Sequence, residues 1–536
     1  MLVLVAAVVI ARSVAIVLMH SVTYDEVYHF SAGLLHLEGK LGVAPPNDPP
    51  LGEALSVLPV YLAGYRAKLD GHVDPALGFE RQYAASFFAQ PVSGDFFRTL
   101  VAGWRGVIYV LTVAAVFTWI NGLYGRLAAW GAAAVLTLEP NFAAHLHLIT
   151  LDVLGVQMIL VVCWLGWRYV QSPGWGRLLV LALASSVALL TKHTAIILPA
   201  VLAAYAGCWW VLKPRCAGAS WHAVFSGWST RWWQLLVYGI LVFLGIWAFL
   251  GFEYHRPDIP EENNKLIRAV LDRPLPATTY ITSFEQGRRH NILGHTSYLL
   301  GQYHNHGVWY YFLVMATYKT PLGLGLLFVL GLASLAWVRP KWNELALLIP
   351  ALAWSYLLIT THINIGFRHF LPAYVFFILL SVRFLQVPRM AWRLAGRRRG
   401  AAAGGRRRLV VPQLHFLCQF PAAAHLRANR RLEHRLESSP QAGRPLADAE
   451  SPARPHGRAG RLWAGVWSGS PVHPRSFTTV GDDLPTQGLL IISSSTMTVG
   501  CKPLERWAYL WKYQPRAVIG EAMLVYDLDH LEPRLR

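Results

Sequence analysis

Residues 149–170 read ITLDVLGVQMILVVCWLGWRYV, a stretch with one carboxylate, Asp152, at its start and no further charge until Arg168. A helix needs about 20 apolar residues to cross a bilayer, and this run supplies them. Its backbone groups must pair internally, because hydrocarbon offers no partner. The run is too long and uninterrupted for the alternating strands of a membrane barrel, so it reads as a transmembrane helix with an acid at one end and a base at the other.

Working outward, runs of the same kind occur at about 2–19, 98–120, 127–144, 177–191, 194–212, 233–252, 309–337, 343–361 and 370–386, which predicts ten spans in all. Composition agrees: 54% of the 536 residues are hydrophobic and only 14% charged, whereas soluble domains carry about 25% charged residues. The formal charge of +19 lies in short clusters between apolar runs and near the C-terminus, as in cytoplasmic loops, so no nucleic-acid partner is expected. The five cysteines show no metal or disulfide spacing. The run at 2–19 lacks a basic leader and a small-residue cleavage site, so it is expected to be retained as the first span.

Short loops carrying Arg126, Arg168 and Arg177, Lys213, Arg215 and Arg231, Arg339 and Lys341, and Arg389 to Arg399 all fall on one side, which marks the cytoplasm. The opposite face then receives 20–97, 145–152, 253–308 and 362–369. The fifth run is short and is followed by Lys192 and His193, charge on the outer side that a broken or short helix tolerates only where it lines a cavity.

Directly after the first run comes Thr23-Tyr24-Asp25-Glu26-Val27-Tyr28-His29-Phe30. Carboxylates at a membrane boundary are costly to desolvate and are functional candidates by default. On a helix, Asp25 and Glu26 point about 100° apart, so one can face a cavity while the other holds the scaffold. First-turn acids that favour the helix dipole are the structural alternative. Asn47-Asp48-Pro49-Pro50-Leu51 and Ile149-Thr150-Leu151-Asp152 lie on the same face. A turn explains Asp48 alone, and a helix cap explains Asp152 alone. Their shared side of the bilayer points to a common site.

This ordered set resembles the polyprenyl-phosphate-dependent glycosyltransferases of the protein O-mannosyltransferase superfamily, which includes the lipid A aminoarabinose transferases and has the GT-C fold. The resemblance also rests on Thr191-Lys192, Gly294-His295, Tyr298 to Gly301, Trp309 to Phe312, Lys319-Thr320-Pro321 and Asn364 to Pro372, and covers about 1–386. It implies an all-α polytopic membrane protein, a GT-C-like bundle with surface-lying helices in the outer loops 20–97 and 253–308. It implies inverting transfer of a hexose or pentose from a polyprenyl-phosphate lipid to a hydroxyl on protein, lipid or glycan, at the outer face of the cytoplasmic membrane.

Such transfer needs a base for the hydroxyl proton and cations or a metal for charge growing on the phosphate. The resemblance assigns Asp25 as base and Asp152 as the group that orients the acceptor or shares a metal, with Glu26 supporting the backbone. Arg368, in a short turn, has the planar fork that matches phosphate, with His369 assisting and Lys192 and Lys319 competing for the role; a snorkelling arginine is the structural alternative. The superfamily's His-Pro-Pro reads Asp48-Pro49-Pro50 here. A divalent metal ion is the one candidate cofactor, with Asp48 and His295 as candidate ligands. Tyr28, Pro49, Tyr298 and Tyr310 are expected to line the substrate cavity, although Trp309-Tyr310-Tyr311 also suits an interfacial aromatic belt. Partners are the lipid-linked sugar, the hydroxyl acceptor and membrane lipid.

After Arg383 the character changes. Residues 387–475 are rich in Arg, Ala and Pro without apolar periodicity, which reads as a disordered basic linker. Superfamily-like text resumes at Pro485 to Ser493 and at Ala517 to Tyr526, so 476–536 is expected to be a small α/β remnant. Related text on both sides of an unrelated block is also what two compensating frameshifts in GC-rich DNA would produce; resequencing the coding DNA tests this. The rival readings of the whole are a secondary transporter, for which internal repeats are missing, and a non-catalytic membrane scaffold, which needs no acids gathered on one side.

Overall fold

The computed structural model describes residues 2–41, 48–69, 86–217, 219–229, 232–257, 259, 265–304, 306–387, 489–493, 510, 512–514, 517–519, 523–527 and 530. The basic linker at 387–475 and the break proposed within it lie outside the described residues from 388 onward.

The chain is a multi-pass helical membrane protein. Its first helices are α1 (Leu2–Met19), α2 (Tyr24–Leu37), α3 (Pro50–Leu62), α4 (Gly94–Tyr124), α5 (Arg126–Leu138), α6 (Pro140–Leu146), α7 (Asp152–Gln171) and α8 (Trp175–Leu189). They are followed by α9 (His193–Cys216), which includes a 3-10 entry, and then by α10 (Trp221–Ser229), α11 (Trp232–Phe249), α12 (Lys265–Leu271) and α13 (Thr278–Leu293). The last four are α14 (Tyr311–Lys319), α15 (Leu322–Ala333), α16 (Leu345–Ile359) and α17 (Leu371–Ser381).

Each of the ten apolar runs is helical, but 127–144 is two helices, α5 and α6, divided at Glu139, whose backbone is extended before Pro140 (ψ 122°). Among the described residues five helices have the length and apolarity to cross a bilayer unaided, or six if the bent pair α14 and α15 counts as one, and α1, α3, α5, α8 and α11 are shorter apolar helices. Helix α3 belongs to the loop 20–97 and was not among the runs. The run at 309–337 is one span by hydropathy but bends by 112° between α14 and α15. Pro321 causes the bend: it has no N–H for the helical ladder and forces Thr320 into an extended conformation, ψ 121°, as the residue before a proline must be.

Local signals set the remaining ends. Ser93 Oγ accepts from Phe96 N–H to start α4, and Gly125, at φ 89°, turns the chain into α5. Proline stands in the first turn of α3, α6 and α17, where its missing N–H costs nothing. The bundle core runs through α4, α5, α7, α9, α16 and α17, with Trp119 fully buried and Trp354 stacked on Phe376 at 6.1 Å. A second cluster of Phe30, Val57, Phe87, Phe97 and Ile149 binds α2 and α3 to the start of α4. Inside a bilayer such contacts act through packing rather than water exclusion.

Two glycines decide the layout near the site. A Cβ on Gly52 of α3 would meet the Thr191 carbonyl at 2.5 Å, and one on Gly155 of α7 would meet the Lys192 side chain at 3.1 Å. Both helices therefore close around the chain at 190–192, which leaves the helical path after α8; the Gly52 N–H donates to the freed Leu190 carbonyl at 3.2 Å. The helical path thus breaks after the fifth run, at the charged pair Lys192-His193.

Near the C-terminus, strands at Leu489–Ser493, Ala517–Ile519 and Met523–Asp527 form an antiparallel sheet with the last of them central. The helical part of the expected α/β remnant lies outside the described residues.

Candidate active site

Helix α2 carries a stripe at Asp25, His29, Gly33 and His36, spaced four, four and three residues apart, which is one face of an α-helix. Glu26 lies off that stripe and is completely buried. Its carboxylate accepts from the Thr23 N–H at 2.8 Å, from Arg98 Nε at 3.3 Å and from the Ile149 N–H at 3.3 Å. Glu26 thus ties α2 to α4 and to the segment before α7.

Asp25 faces the other way, half-buried, and accepts from Arg368 Nη1. Arg368 Nε stands 3.9 Å from Asp152 Oδ2, and Asp152 Oδ1 accepts from Lys192 Nζ. Two carboxylates and two cations from four distant segments therefore form one row, Asp25, Arg368, Asp152, Lys192. Charges of both signs balance, which lets them persist at a partly dry helix end. The Asp152 side chain is only 5% exposed while Asp25 retains 34%, so Asp25 is the carboxylate open to an incoming group. His369 Nε2 is buried with no hydrogen-bond partner among the described residues.

Next along the stripe, Glu53 of α3 accepts from His29 Nδ1 and His36 Nε2, each at 2.8 Å. Gly33 permits this approach: a Cβ there would meet the Glu53 carbonyl at 2.5 Å. His29, Asp48 and Glu53 each offer one ligand atom within 4.8 Å of the others. Burial opposes charge on His29, but the hydrogen bond and charge of Glu53, with Asp48 and Asp25, outweigh it and raise its pKa. Burial raises that of Asp48. For Glu53 burial is outweighed by the hydrogen bonds from both histidines, which lower its pKa.

Of the expected metal pair, Asp48 is in this group and His295 is not. His295 stacks on His290 at 5.7 Å, its backbone N–H donates to the His362 carbonyl, and its Nδ1 lies 2.8 Å from the Thr296 carbonyl. Sequence reading missed His29, His36 and Glu53 as a unit; the spacing on α2 was the signal for two of them. Lys319 is exposed at the end of α14 and takes no part in the row of ion pairs. Tyr28 is buried edge-on to His29 at 5.1 Å, and Pro49 is buried beside Asp48. Tyr298 is 41% exposed on a short hairpin strand, and Tyr310 sits against Trp309 at 5.6 Å.

Helix α13 lies over this end of the bundle, held by Ser283 Oγ 2.6 Å from His193 Nε2 and by Asn291, which accepts from Thr361 Oγ1 at 2.6 Å. Beneath it an apolar cavity of about 470 Å³ runs between α7, α8, α9 and α11, from Trp210 and Tyr169 up to Tyr280. The Tyr280 ring lies 5.7 Å from His193, the neighbour of Lys192.

Fold and site together define a polytopic helical membrane protein with paired acids and paired cations at one end of the bundle. Residues 100–222 match the family model for dolichyl-phosphate-mannose-protein mannosyltransferase, which bears out the resemblance read from sequence. That segment contains Asp152 and Lys192. A crystal structure of ArnT from Cupriavidus metallidurans bound to undecaprenyl phosphate is similar at 18% identity and a TM-score of 0.46, over 75% of this chain and 63% of that one. The chain therefore spans less than two thirds of that protein. No curated protein matches it.

Proposed function

We propose that the protein is a polyprenyl-phosphate-dependent glycosyltransferase working at the outer face of the cytoplasmic membrane. The observation that carries this is the row Asp25, Arg368, Asp152, Lys192, assembled from four chain segments. In the reaction the acceptor hydroxyl gives its proton to Asp25, its oxygen bonds to the anomeric carbon, and the bond from that carbon to the phosphate breaks with its electron pair going to the phosphate. Arg368 and Lys192 receive that charge, with His369 beside them and Asp152 holding both cations in place. Arriving phosphate competes with Asp25 for Arg368, which frees the base when the donor is bound. The prenyl chain occupies the apolar cavity that ends at Tyr280. A lipid, glycan or protein hydroxyl serves as acceptor, and the sugar is a hexose or pentose.

His29, Asp48 and Glu53 fit a divalent cation as well. Ligand atoms on one metal stand roughly 3 Å apart when each bond is about 2.0–2.2 Å, and His29 Nδ1 and Glu53 Oε1 are 2.8 Å apart. One imidazole and two carboxylates suit zinc or manganese, with His36 as the outer partner that orients Glu53. Such an ion would add positive charge beside the donor phosphate.

A panel of labelled polyprenyl-phosphate sugars offered to the purified protein in nanodiscs tests the reading. Transfer from at least one donor is expected. No transfer from any donor, by this chain and by a frame-corrected version, overturns it.

A further inference from the structure

Residues 147–151 form a non-helical bend between α6 and α7, and His147, Ile149, Thr150 and Leu151 are all buried there. Backbone groups in such a segment have no helical partners and must find others. The Ile149 N–H goes to Glu26. The carbonyls of Leu148 and Thr150 both accept from one group, Nη1 of Arg105 on α4.

Arg105 is wholly buried, and its Nε and Nη2 have no hydrogen-bond partner among the described residues. The acids whose charge it feels are Asp152 and Glu26. Two helical turns away on the same face of α4, Arg98 donates Nη1 to the His20 carbonyl at 2.7 Å, Nη2 to the Ser21 carbonyl at 3.3 Å and Nε to Glu26. One stripe of α4 thus grips both chain segments that deliver the site's carboxylates: Arg98 holds the entry to α2 at His20 and Ser21 and also Glu26, the residue after Asp25, and Arg105 holds the entry to α7, two residues from Asp152. A buried guanidinium with two donors unused is a poor stabilising device, because its desolvation is costly. Fixing a bend is a use that matches its geometry.

We propose that Arg105 is a positioning residue of the transfer reaction, setting Asp152 against Lys192 and Arg368 by clamping the 148–150 carbonyls. This rests on the transferase reading. Its chemistry is indirect: a small displacement of Asp152 misaligns both cations relative to the donor phosphate, and misplacement of about 1 Å costs on the order of 100-fold in rate.

The test uses Arg105→Lys, which keeps the charge but ends one bond short of the Nη1 that reaches both carbonyls, and Glu26→Gln, which loosens the same bend from its other side and leaves the buried cation intact. In full-length protein in nanodiscs, kcat is expected to fall about 100-fold in Arg105→Lys while donor KM changes less than about threefold. In an Asp152→Asn background the same change should cost less than about twofold, because the two substitutions act through one group. Amide exchange in the peptide covering 147–152 should quicken at least about tenfold in both variants while the α11 peptide is unaffected. Parental kcat in Arg105→Lys, a full additional loss on top of Asp152→Asn, or unchanged exchange at 147–152 overturns the proposal. If the parent itself transfers no sugar the transferase reading fails, and the exchange measurement still decides whether Arg105 holds the bend.

Discussion

The two ends of the polar stripe on α2 are built differently. At its start Asp25 meets Arg368, Asp152 and Lys192, which come from distant parts of the chain and are held mainly by opposite charge. Further along α2, Glu53 is enclosed by His29 and His36, all three from the packed pair α2 and α3, with every contact a short hydrogen bond. The first cluster is partly open and can exchange partners with an incoming anion. The second is closed, and on the proposed reading its exchangeable partner is a proton or a metal ion. Substitutions in the first should therefore act on rate, and those in the second on stability and metal affinity.

The largest effect is expected at the open end. Arg368→Ala should lower transfer about 100- to 1,000-fold, the cost of losing a donor aimed at developing charge, with Arg368→Lys recovering part of it because ammonium lacks the bidentate fork. A loss below about tenfold in steady-state assays would move phosphate recognition to Lys192. At the closed end, His36→Ala should weaken zinc or manganese binding about 10- to 100-fold, as loss of an orienting outer partner does, and calorimetry on the purified protein reads this directly. Unchanged affinity would place any ion elsewhere.

Smaller again, Glu53→Gln should destabilise the protein by about 1–3 kcal/mol by leaving buried imidazoles imperfectly paired, seen as a lower Tm. Should the Tm hold and transfer vanish, the division between the two ends is wrong. The smallest effect lies away from both. On α13, hydrogen bonds from Arg288 outweigh burial, and with Arg289 they lower the pKa of Glu285. A depressed carboxylate contributes stability that is present above its ordinary value near 4.5 and is lost as pH falls through the lower folded value. Glu285→Gln should therefore cost about 0.5 kcal/mol at pH 7, and the difference from the parent should vanish once the carboxylate is protonated. A difference that persists in acid would contradict that origin.

Much of this is legible in the amino-acid sequence. Length and hydropathy place all ten apolar helices, and the order of charges places Asp25, Asp152, Lys192 and Arg368 at one end of them, because an ionised side chain at a helix end stands out against apolar text. The bend at Thr320-Pro321 is hidden because window hydropathy does not register a missing N–H. Glu53 escapes because it sits inside an apolar helix of the loop 20–97, and its partners are 17 and 24 residues earlier in the chain. Arg98 and Arg105 are absorbed into a span, since nothing local tells a snorkelling arginine from one that clamps a distant carbonyl. His295 looks eligible as a ligand for want of any distance information. No residue in the row of charges carries sugar identity, because a row that meets the phosphate and the acceptor proton does not read the ring substituents by which sugars differ.

The central claim is that Asp25 takes the acceptor proton while the cations beside it hold the departing phosphate. Single-turnover transfer from a labelled polyprenyl-phosphate sugar by Asp25→Asn, with donor affinity measured on the same preparation, tests it most directly. Donor binding within about threefold of the parent and transfer slowed by about 100- to 10,000-fold is the predicted result. Transfer at the parental rate by the asparagine variant would contradict it.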